Sequence, residues 1–322
     1  MAPYKRLRSC RNHKWLLRML QETSLSVNDL ILPVFIKDNI TKSERIESMP
    51  NTYRYSPDTV LSLVEELIKL RVPAIALFPV VSKSLKSNCA DEAFNPDNSI
   101  CRAIKKIKQY FGNQIGIISD IALDPYTDSA HDGVLSEDRS VNNDKSVEIM
   151  CKQALVHVAA GVDIVAPSCM MDGITHSLKV ALDDTQFYNI PIMAYSAKFH
   201  SSLYQPFRNA IESSSNLGNV DKSGYQINVP NRKEALQSIE KDITEGASII
   251  IVKPATQYLD ILYQASERFN VPIIGYQVSG EYKMLCSENL EKVLESIMCI
   301  KRAGAHAVIS YATLEIARYL AR

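Results

Sequence analysis

The amino-acid sequence predicts an α/β protein, a (β/α)8 TIM barrel with an extended N-terminal arm. Eight short runs rich in Ile, Val and aromatic residues recur along the 322 residues. The runs are continuously apolar, as is typical of parallel strands covered on both faces. Segments with helical spacing separate most of them, and this alternation of strands with crossover helices predicts a closed barrel.

The predicted elements follow one another in a regular order. The strands are expected at residues 29–37, 74–80, 115–123, 163–168, 191–197, 248–255, 272–278 and 305–311. Crossover helices are expected at residues 57–70, 144–160, 232–244 and 287–303. Ser56 is the expected N-cap of the first helix, and Asn231 that of the third, where Glu234 follows three residues later. A weak internal repeat supports the order, because Gly161, Gly246 and Gly304 each stand at the expected end of a helix, directly before a strand.

Two segments lie outside the strand and helix pattern. Residues 1–28 mix basic with apolar side chains and precede the first strand, so the barrel is expected to cover residues 29–322. This arm is predicted to pack on another subunit, although an arm folded over its own barrel fits the pattern equally well. The connection at about 199–230 contains the Ser- and Asn-rich stretch 213–218, and it is predicted to be an active-site lid.

Composition narrows the class of protein. Lys plus Arg equals Asp plus Glu, at 36 each, so no basic field exists to attract nucleic acid or an anionic membrane. No apolar run is long enough to span a bilayer, and no apolar leader opens the chain, which predicts a cytoplasmic enzyme. The seven cysteines are scattered and never occur as Cys-x-x-Cys, which argues against a disulfide framework and a zinc knuckle.

Two lysines carry the strongest functional signal. Lys198 and Lys253 each end an apolar run that reads as a strand, although lysine is almost never fully buried without a partner. If both runs belong to one parallel sheet, the two amines meet in one pocket. Desolvation and like-charge repulsion then lower the pKa of at least one of them. A neutral amine at neutral pH is the nucleophile of Schiff-base chemistry.

Other polar side chains fall at the expected C-terminal ends of strands, where barrel enzymes keep their active sites. They are Asp120, Asp124, Ser168, Tyr276, Ser279 and Tyr311. Taken alone, Ser168, Ser279 and Tyr311 are each better explained as surface loop residues. Their common position with the two lysines predicts one convergent polar site.

Several stretches resemble one enzyme family. They are residues 165–173, 198–208, 252–254 with 258–260, and 278–282, together with 29–33, 48–50 and 120–127. The sequence thus resembles the porphobilinogen synthase (5-aminolevulinate dehydratase) family along nearly its whole length, and the lysine motifs are highly specific. The resemblance implies a (β/α)8 barrel with an N-terminal arm, usually a homo-octamer. It also implies condensation of two 5-aminolevulinate molecules to porphobilinogen, with loss of two waters, in tetrapyrrole (heme) biosynthesis.

The same resemblance implies roles for individual residues. Lys253 matches the Schiff-base lysine, and Lys198 matches a second lysine that either lowers its neighbour's pKa or forms a second imine. Asp120 is expected to take part in catalysis. The residues expected to bind substrate are Ser168, Tyr204, Phe207, Arg208, Lys222, Gln226, Tyr276, Ser279 and Tyr311. Arg208 and Lys222 are expected to bind one carboxylate, while Ser279 and Tyr311 bind the other.

Metal use is predicted from three positions. Zinc-using members carry cysteines where this chain has Ala122, Asp124 and Asp132, so the chain resembles the aspartate-rich branch and no zinc is expected. The oxygens of Asp120, Asp124 and Asp132 suit a hard cation such as Mg²⁺, but hydrogen bonding or proton transfer without a metal explains them equally well. Glu245 matches a position that binds an allosteric Mg²⁺ between subunits in many members, although a solvated surface glutamate explains it nearly as well.

Other functions fit parts of the pattern. Another class I Schiff-base aldolase or lyase barrel would also need a strand lysine, but it leaves the second lysine and the two carboxylate sites unexplained. A metal-dependent hydrolase would use the aspartates and has no need of the lysines. A catalytically silent assembly protein predicts loss of Lys198, Lys253 or the aspartates, all of which are present.

Overall fold

The computed structural model describes residues 7–212, 221–286 and 289–321, except for the side chain at position 286. Its strands alternate with helices along the chain. The strands are β1 (Leu30–Lys37), β2 (Glu44–Arg45), β3 (Tyr53–Tyr55), β4 (Ala74–Val80), β5 (Gly116–Ile121), β6 (Ile164–Pro167), β7 (Met193–Lys198), β8 (Ile249–Lys253), β9 (Ile273–Gln277) and β10 (Ala307–Ser310). Each of the eight predicted runs overlaps one of these strands. The run at 74–80 has the bounds of β4, β7 extends one residue beyond its run, to Lys198, and the other six runs are longer than their strands.

The α-helices cover the outside of the sheet. They are α1 (Lys14–Met19), α2 (Val60–Lys69), α3 (Ser99–Phe111), α4 (Asn143–Ala160), α5 (Ile174–Asp184), α6 (Gln205–Ala210), α7 (Arg232–Thr244), α8 (Leu259–Arg268), α9 (Ser279–Cys286), α10 (Leu290–Arg302) and α11 (Thr313–Leu320). The four predicted crossover helices correspond to α2, α4, α7 and α10. The sequence analysis missed α3, α5, α8 and α11, although each buries an apolar face against the sheet.

The strands form a parallel barrel, which confirms the predicted fold class. Hydrogen-bonded neighbours follow the order β6-β5-β4-β1-β10-β9-β8-β7. Between β6 and β7 the barrel closes through an isolated parallel bridge from Val165 to Ile192, beside which the Val165 amide donates to the Pro191 carbonyl over 3.2 Å. The short strands β2 and β3 pair with each other at the end of β1 and were not predicted, because two or three residues carry no readable periodicity.

The predicted glycine positions are confirmed. Gly161, Gly246 and Gly304 adopt φ angles of 106°, 109° and 105°, the left-handed region that glycine enters without a Cβ clash. Of the two predicted N-cap positions, the one at Ser56 is wrong and the one at Asn231 is confirmed. Ser56 is not the N-cap of α2, which is Thr59; the Ser56 hydroxyl accepts from the Thr59 amide over 3.1 Å. Asn231 is the N-cap residue of α7, but its amide donates to Glu234 over 2.6 Å instead of accepting from a helix N–H.

The first part of the described arm lies exposed, while Leu25 and Val27 farther along are half-buried against the core of the barrel. The 3-10 turn Leu7–Arg11 and helix α1 bury no side chain, and apolar residues such as Trp15 and Met19 face solvent. An apolar surface of this kind is what the predicted subunit contact needs. Within the described ranges, no helix combines the length and apolar character required to cross a bilayer. The cytoplasmic location stays a prediction, as do the domain limits at 1–28 and 29–322.

Candidate active site

The two lysines predicted to meet do so through strand register. Lys198 ends β7 and Lys253 ends β8, and the two residues stand directly opposite each other in the parallel pair. Both are buried, with exposed fractions of 7% and 6%. The sheet therefore holds two amines side by side at the C-terminal end of the barrel, where the sequence analysis places the site.

Aromatic rings surround the Lys253 amine. Its Nζ lies 4.4 Å from the ring centre of Tyr276, 5.0 Å from that of Tyr195 and 5.4 Å from those of Tyr204 and Phe207. Burial in this apolar setting, and secondly the neighbouring Lys198 ammonium, lower the pKa of Lys253 to about 7. Roughly half of the molecules then carry a neutral amine at neutral pH, as the Schiff-base prediction requires.

Lys198 lies in a different environment, among charged and polar groups. Its ammonium donates to Asp132 Oδ2 over 2.9 Å and also to the Ser168 carbonyl. The second oxygen of Asp132 accepts from Lys222, and Asp132 is fully buried. Burial alone would raise the pKa of Asp132, but the ammonium groups of Lys198 and Lys222 outweigh it and hold that pKa well below its usual range. Asp132 is thus the shared counter-charge of two buried lysines.

Asp120, near the end of β5, has a raised pKa, whereas the pKa of Asp132 is lowered. Burial raises the pKa of Asp120 to about 7, against the lowering effect of the Lys253 charge. Asp124 raises the pKa further, while a hydrogen bond with Ser168 lowers it. Within the described part of the chain, Asp120 Oδ1 has no hydrogen-bond partner. A carboxyl group that titrates near neutrality beside an amine of similar pKa can take up or release a proton during catalysis.

The residues expected to bind substrate fall into two groups. On one side, the Tyr276 and Tyr311 hydroxyls lie 3.1 Å apart, and the Ser279 hydroxyl accepts from the Phe207 amide over 2.9 Å. Tyr204 donates to the carbonyls of Phe199 and Lys253, over 2.8 and 3.2 Å, and so braces the end of β8.

On the other side, Lys222 Nζ lies 3.3 Å from Asp124 Oδ2, and the buried Gln226 has a side-chain oxygen with no partner among the described residues. Arg208 is half-buried on α6, and its charge acts on Lys222. The structure thus collects the residues of this group around one cationic region. Residues 213–220 of the predicted lid lie outside the described ranges.

Two residues near the site were missed by the sequence analysis or given no role. Tyr195 reads as a strand core residue, but a register shift between Ala194 and Ala197 turns its ring toward Lys253. Glu281 is buried and accepts from the amides of Thr256 and Val278, which joins the loop after β8 to the start of α9. Burial raises the pKa of Glu281 to about 7. Its place in residues 278–282, within a matching motif, was the available signal.

Two carboxylates of the site, those of Asp124 and Asp132, pair with ammonium groups in this arrangement. Both oxygens of Asp132 and one of Asp124 have ammonium partners. Across the described residues, no group of three or more His, Cys, Asp or Glu side chains has a geometry that could hold a metal ion. Glu245 at the end of α7 pairs with Lys241 over 3.2 Å. The Mg²⁺ expectations at Asp120, Asp124 and Asp132 and at Glu245 therefore stay predictions.

Known proteins match the chain along its length. A sequence profile of the delta-aminolevulinic acid dehydratase family matches residues 4–319. The delta-aminolevulinic acid dehydratase of Bradyrhizobium diazoefficiens is 42% identical over 314 residues, which cover 95% of this chain and 88% of that protein. The dehydratase of Archaeoglobus fulgidus is 40% identical over 327 residues, covering 99% of this chain and all of that protein.

A solved structure matches the fold equally well. It is the delta-aminolevulinic acid dehydratase (porphobilinogen synthase) of Toxoplasma gondii in complex with the reaction product porphobilinogen. It superimposes with a TM-score of 0.95 at 38% identity and covers 99% of this chain and 92% of that chain. With the family profile, the relatives and the paired lysines in agreement, the chain belongs to the delta-aminolevulinic acid dehydratase family.

Proposed function

We propose that this protein is a porphobilinogen synthase, a hydro-lyase that condenses two 5-aminolevulinate molecules and releases two waters in heme biosynthesis. The observation that carries the proposal is the register of Lys198 with Lys253, which places one amine with a pKa near neutrality beside a second, carboxylate-paired amine. A class I aldolase needs only the first amine. A silent assembly protein needs neither.

The proposed reaction begins at Lys253. Its neutral Nζ attacks the ketone carbon of one substrate, a C–N bond forms, and the carbonyl oxygen leaves as water, which yields the imine. Asp120, with a pKa of about 7, is the group proposed to pass the proton to the departing hydroxyl. The aromatic wall around Lys253 keeps bulk water from the imine, which slows its hydrolysis.

A C–C bond then joins the two substrates, and the amine of the first substrate condenses with the ketone of the second, whose oxygen leaves as the second water. The C–N bond to Lys253 breaks as the pyrrole forms, which releases the product and restores the lysine amine. For Lys198 we favour an electrostatic role, because an imine there would first have to break its bonds to Asp132 and to the Ser168 carbonyl. Ser279 and Tyr311 are proposed to bind the carboxylate of the substrate on Lys253. Arg208, Lys222 and Gln226 are proposed to bind the carboxylate of the other substrate.

The direct test is incubation with 5-aminolevulinate followed by a colour reaction for porphobilinogen. We expect a pyrrole product at half the molar amount of substrate consumed. Absence of any pyrrole from folded protein, with and without added Mg²⁺, would refute the proposed function.

The metal dependence of the activity can be predicted from the donor atoms present at three positions of the site. Since no cysteine occupies the three positions at Ala122, Asp124 and Asp132, we expect activity to survive zinc chelation by o-phenanthroline and to respond to Mg²⁺. Turnover is measured after chelation and after each metal is added back. In the variant Glu245→Gln, Mg²⁺ stimulation is expected to fall while basal turnover stays unchanged. Loss of activity on chelation, restored by zinc alone, would contradict the aspartate-rich assignment.

Assembly is proposed to depend on the arm. The exposed apolar side chains of Leu7, Trp15 and Leu17 fit a contact with a neighbouring subunit of a homo-oligomer, for which an octamer is proposed. Deletion of residues 1–20 is expected to leave a folded barrel with a smaller particle mass, because the deleted residues belong to no barrel strand. Light scattering measures the mass and circular dichroism checks the fold. An unchanged mass would exclude the arm as a subunit contact.

A further inference from the structure

A fourth lysine reaches the site from a loop to which no role has been given. Lys86 follows the 3-10 turn Lys83–Leu85 after β4. The next residue, Ser87, donates its amide to the Tyr126 carbonyl over 3.1 Å and accepts from the Asp128 amide over 3.3 Å. These bonds fasten the loop to the turn after β5, on the side of the site where Asp124 binds Lys222.

The Lys86 ammonium is buried and has no hydrogen-bond partner within the described ranges. Asp124 and Glu212 are close enough to act on its charge. Both are already engaged, however: Asp124 Oδ2 lies 3.3 Å from Lys222, and Glu212 Oε1 lies 2.6 Å from Lys37. A buried ammonium without a hydrogen-bond acceptor is costly. An anion that enters the site would remove that cost.

The local charges leave room for such an anion. The basic groups of the site are Lys86, Lys198, Lys222, Lys253 and Arg208, and its carboxylates are Asp120, Asp124 and Asp132. Among these described residues, the basic groups outnumber the carboxylates by two, and two substrate molecules bring two carboxylates.

Two further carboxylates nearby belong to another ion-pair network. Glu44 and Glu212 pair with Lys37 and Arg54 around the ends of β1 and β3. Their ion pairs are therefore with residues other than Lys86.

We propose that Lys86 is a substrate-binding residue, which holds the carboxylate of the second substrate together with Lys222 and Arg208. The inference rests on the proposed function and adds one residue to its substrate contacts. Lys86 lies on the Lys222 side, so the first substrate, bound to Lys253 and to Ser279, does not depend on it. The two substrates respond differently to a change at Lys86, which makes the inference testable.

The test compares Lys86→Met with Lys86→Arg and with the control Lys83→Met, which alters an exposed lysine in the same loop. Two quantities are measured with 5-aminolevulinate: the KM for turnover, and the half-saturation concentration for borohydride trapping at Lys253. Lys86→Met is expected to raise KM by about 10- to 100-fold, the range for loss of a charged hydrogen bond. Trapping at Lys253 should stay unchanged, Lys86→Arg should recover most of the loss, and the control should behave as the wild type.

Other results overturn the proposal. An unchanged KM in Lys86→Met excludes a carboxylate contact. If KM and the half-saturation concentration for trapping rise together, Lys86 supports the structure of the whole site and is not a specific contact of the second substrate. If Lys86→Met does not fold, Lys86→Gln is read by the same criteria. Failure of the wild type to trap substrate at all would refute the proposed function, which keeps the two failures distinct.

Discussion

Replacing Lys253 with alanine is expected to abolish imine formation and to lower turnover by at least about 10⁴-fold, because the covalent intermediate has no other amine at its position. The measurement is borohydride reduction in the presence of 5-aminolevulinate, followed by peptide mass analysis. Wild-type protein should gain one substrate-derived mass on the peptide that contains Lys253. Lys233→Ala, which alters an exposed lysine on α7, is the control and should keep full activity. An adduct on neither Lys253 nor Lys198 would refute the imine mechanism.

The pH dependence of trapping follows from the same pKa. Lys253 reacts as the neutral amine, so trapping should increase with pH through a midpoint of about 7. Lys198→Met removes the neighbouring positive charge and should move the midpoint to higher pH. An unmoved midpoint would exclude the electrostatic role of Lys198. The folded pKa of Lys253 lies below the value of 10.5 that it has when unperturbed, so the unfolded chain binds more protons between these values. The contribution of Lys253 to folding stability therefore rises with pH from about 7 to 10.5.

Removing the carboxylate of Asp132 is expected to have the largest effect on stability. Asp132→Ala leaves the ammonium groups of Lys198 and Lys222 buried without their shared counter-charge. Loss of one partner from a buried ion pair costs about 3–5 kcal/mol in the free energy of unfolding. Turnover should fall as well, because Lys198 and Lys222 lose the carboxylate that holds both ammonium groups in place in the site. Urea denaturation measures the loss of stability.

Two comparisons separate charge from packing in this experiment. The double variant Asp132→Ala with Lys198→Met removes one of the stranded cations and should recover part of the lost stability. Glu240→Ala breaks an exposed ion pair with Arg268 and should change the free energy of unfolding by less than about 1 kcal/mol. A loss at Asp132 as small as that at Glu240 would show that the buried network contributes little.

The sequence predicted most of the barrel and the core of its site. Continuous apolar runs and three glycine caps were sufficient to predict the barrel. Because Lys198 and Lys253 each end a strand, their proximity could also be predicted. These features are local, and a parallel sheet converts each strand end into a known position in space.

Contacts between residues that are distant in the sequence could not be predicted in this way. Asp132 was identified as a metal position, and its bonds to Lys198 and Lys222 come from a loop whose course no periodicity predicts. Tyr195 faces Lys253 only because a register shift in β7 breaks the strict alternation of side chains. Lys86 reaches the site through backbone bonds between two loops, and such bonds leave no trace in residue type.

The junction of β6 and β7 ties the mechanics of the barrel to its ligands. One isolated bridge from Val165 to Ile192 joins these strands near their N-terminal ends, and at the active-site end the Lys198 ammonium donates to the Ser168 carbonyl. A substrate that moves the Lys198 ammonium away from the Ser168 carbonyl weakens this contact between the two strand ends, and a substrate that holds Lys198 in place strengthens it. Thermodynamic linkage makes the effect reciprocal, so the free energy of local opening between β6 and β7 depends on whether substrate is bound. Hydrogen exchange of the Val165 amide would report that coupling from a position outside the pocket.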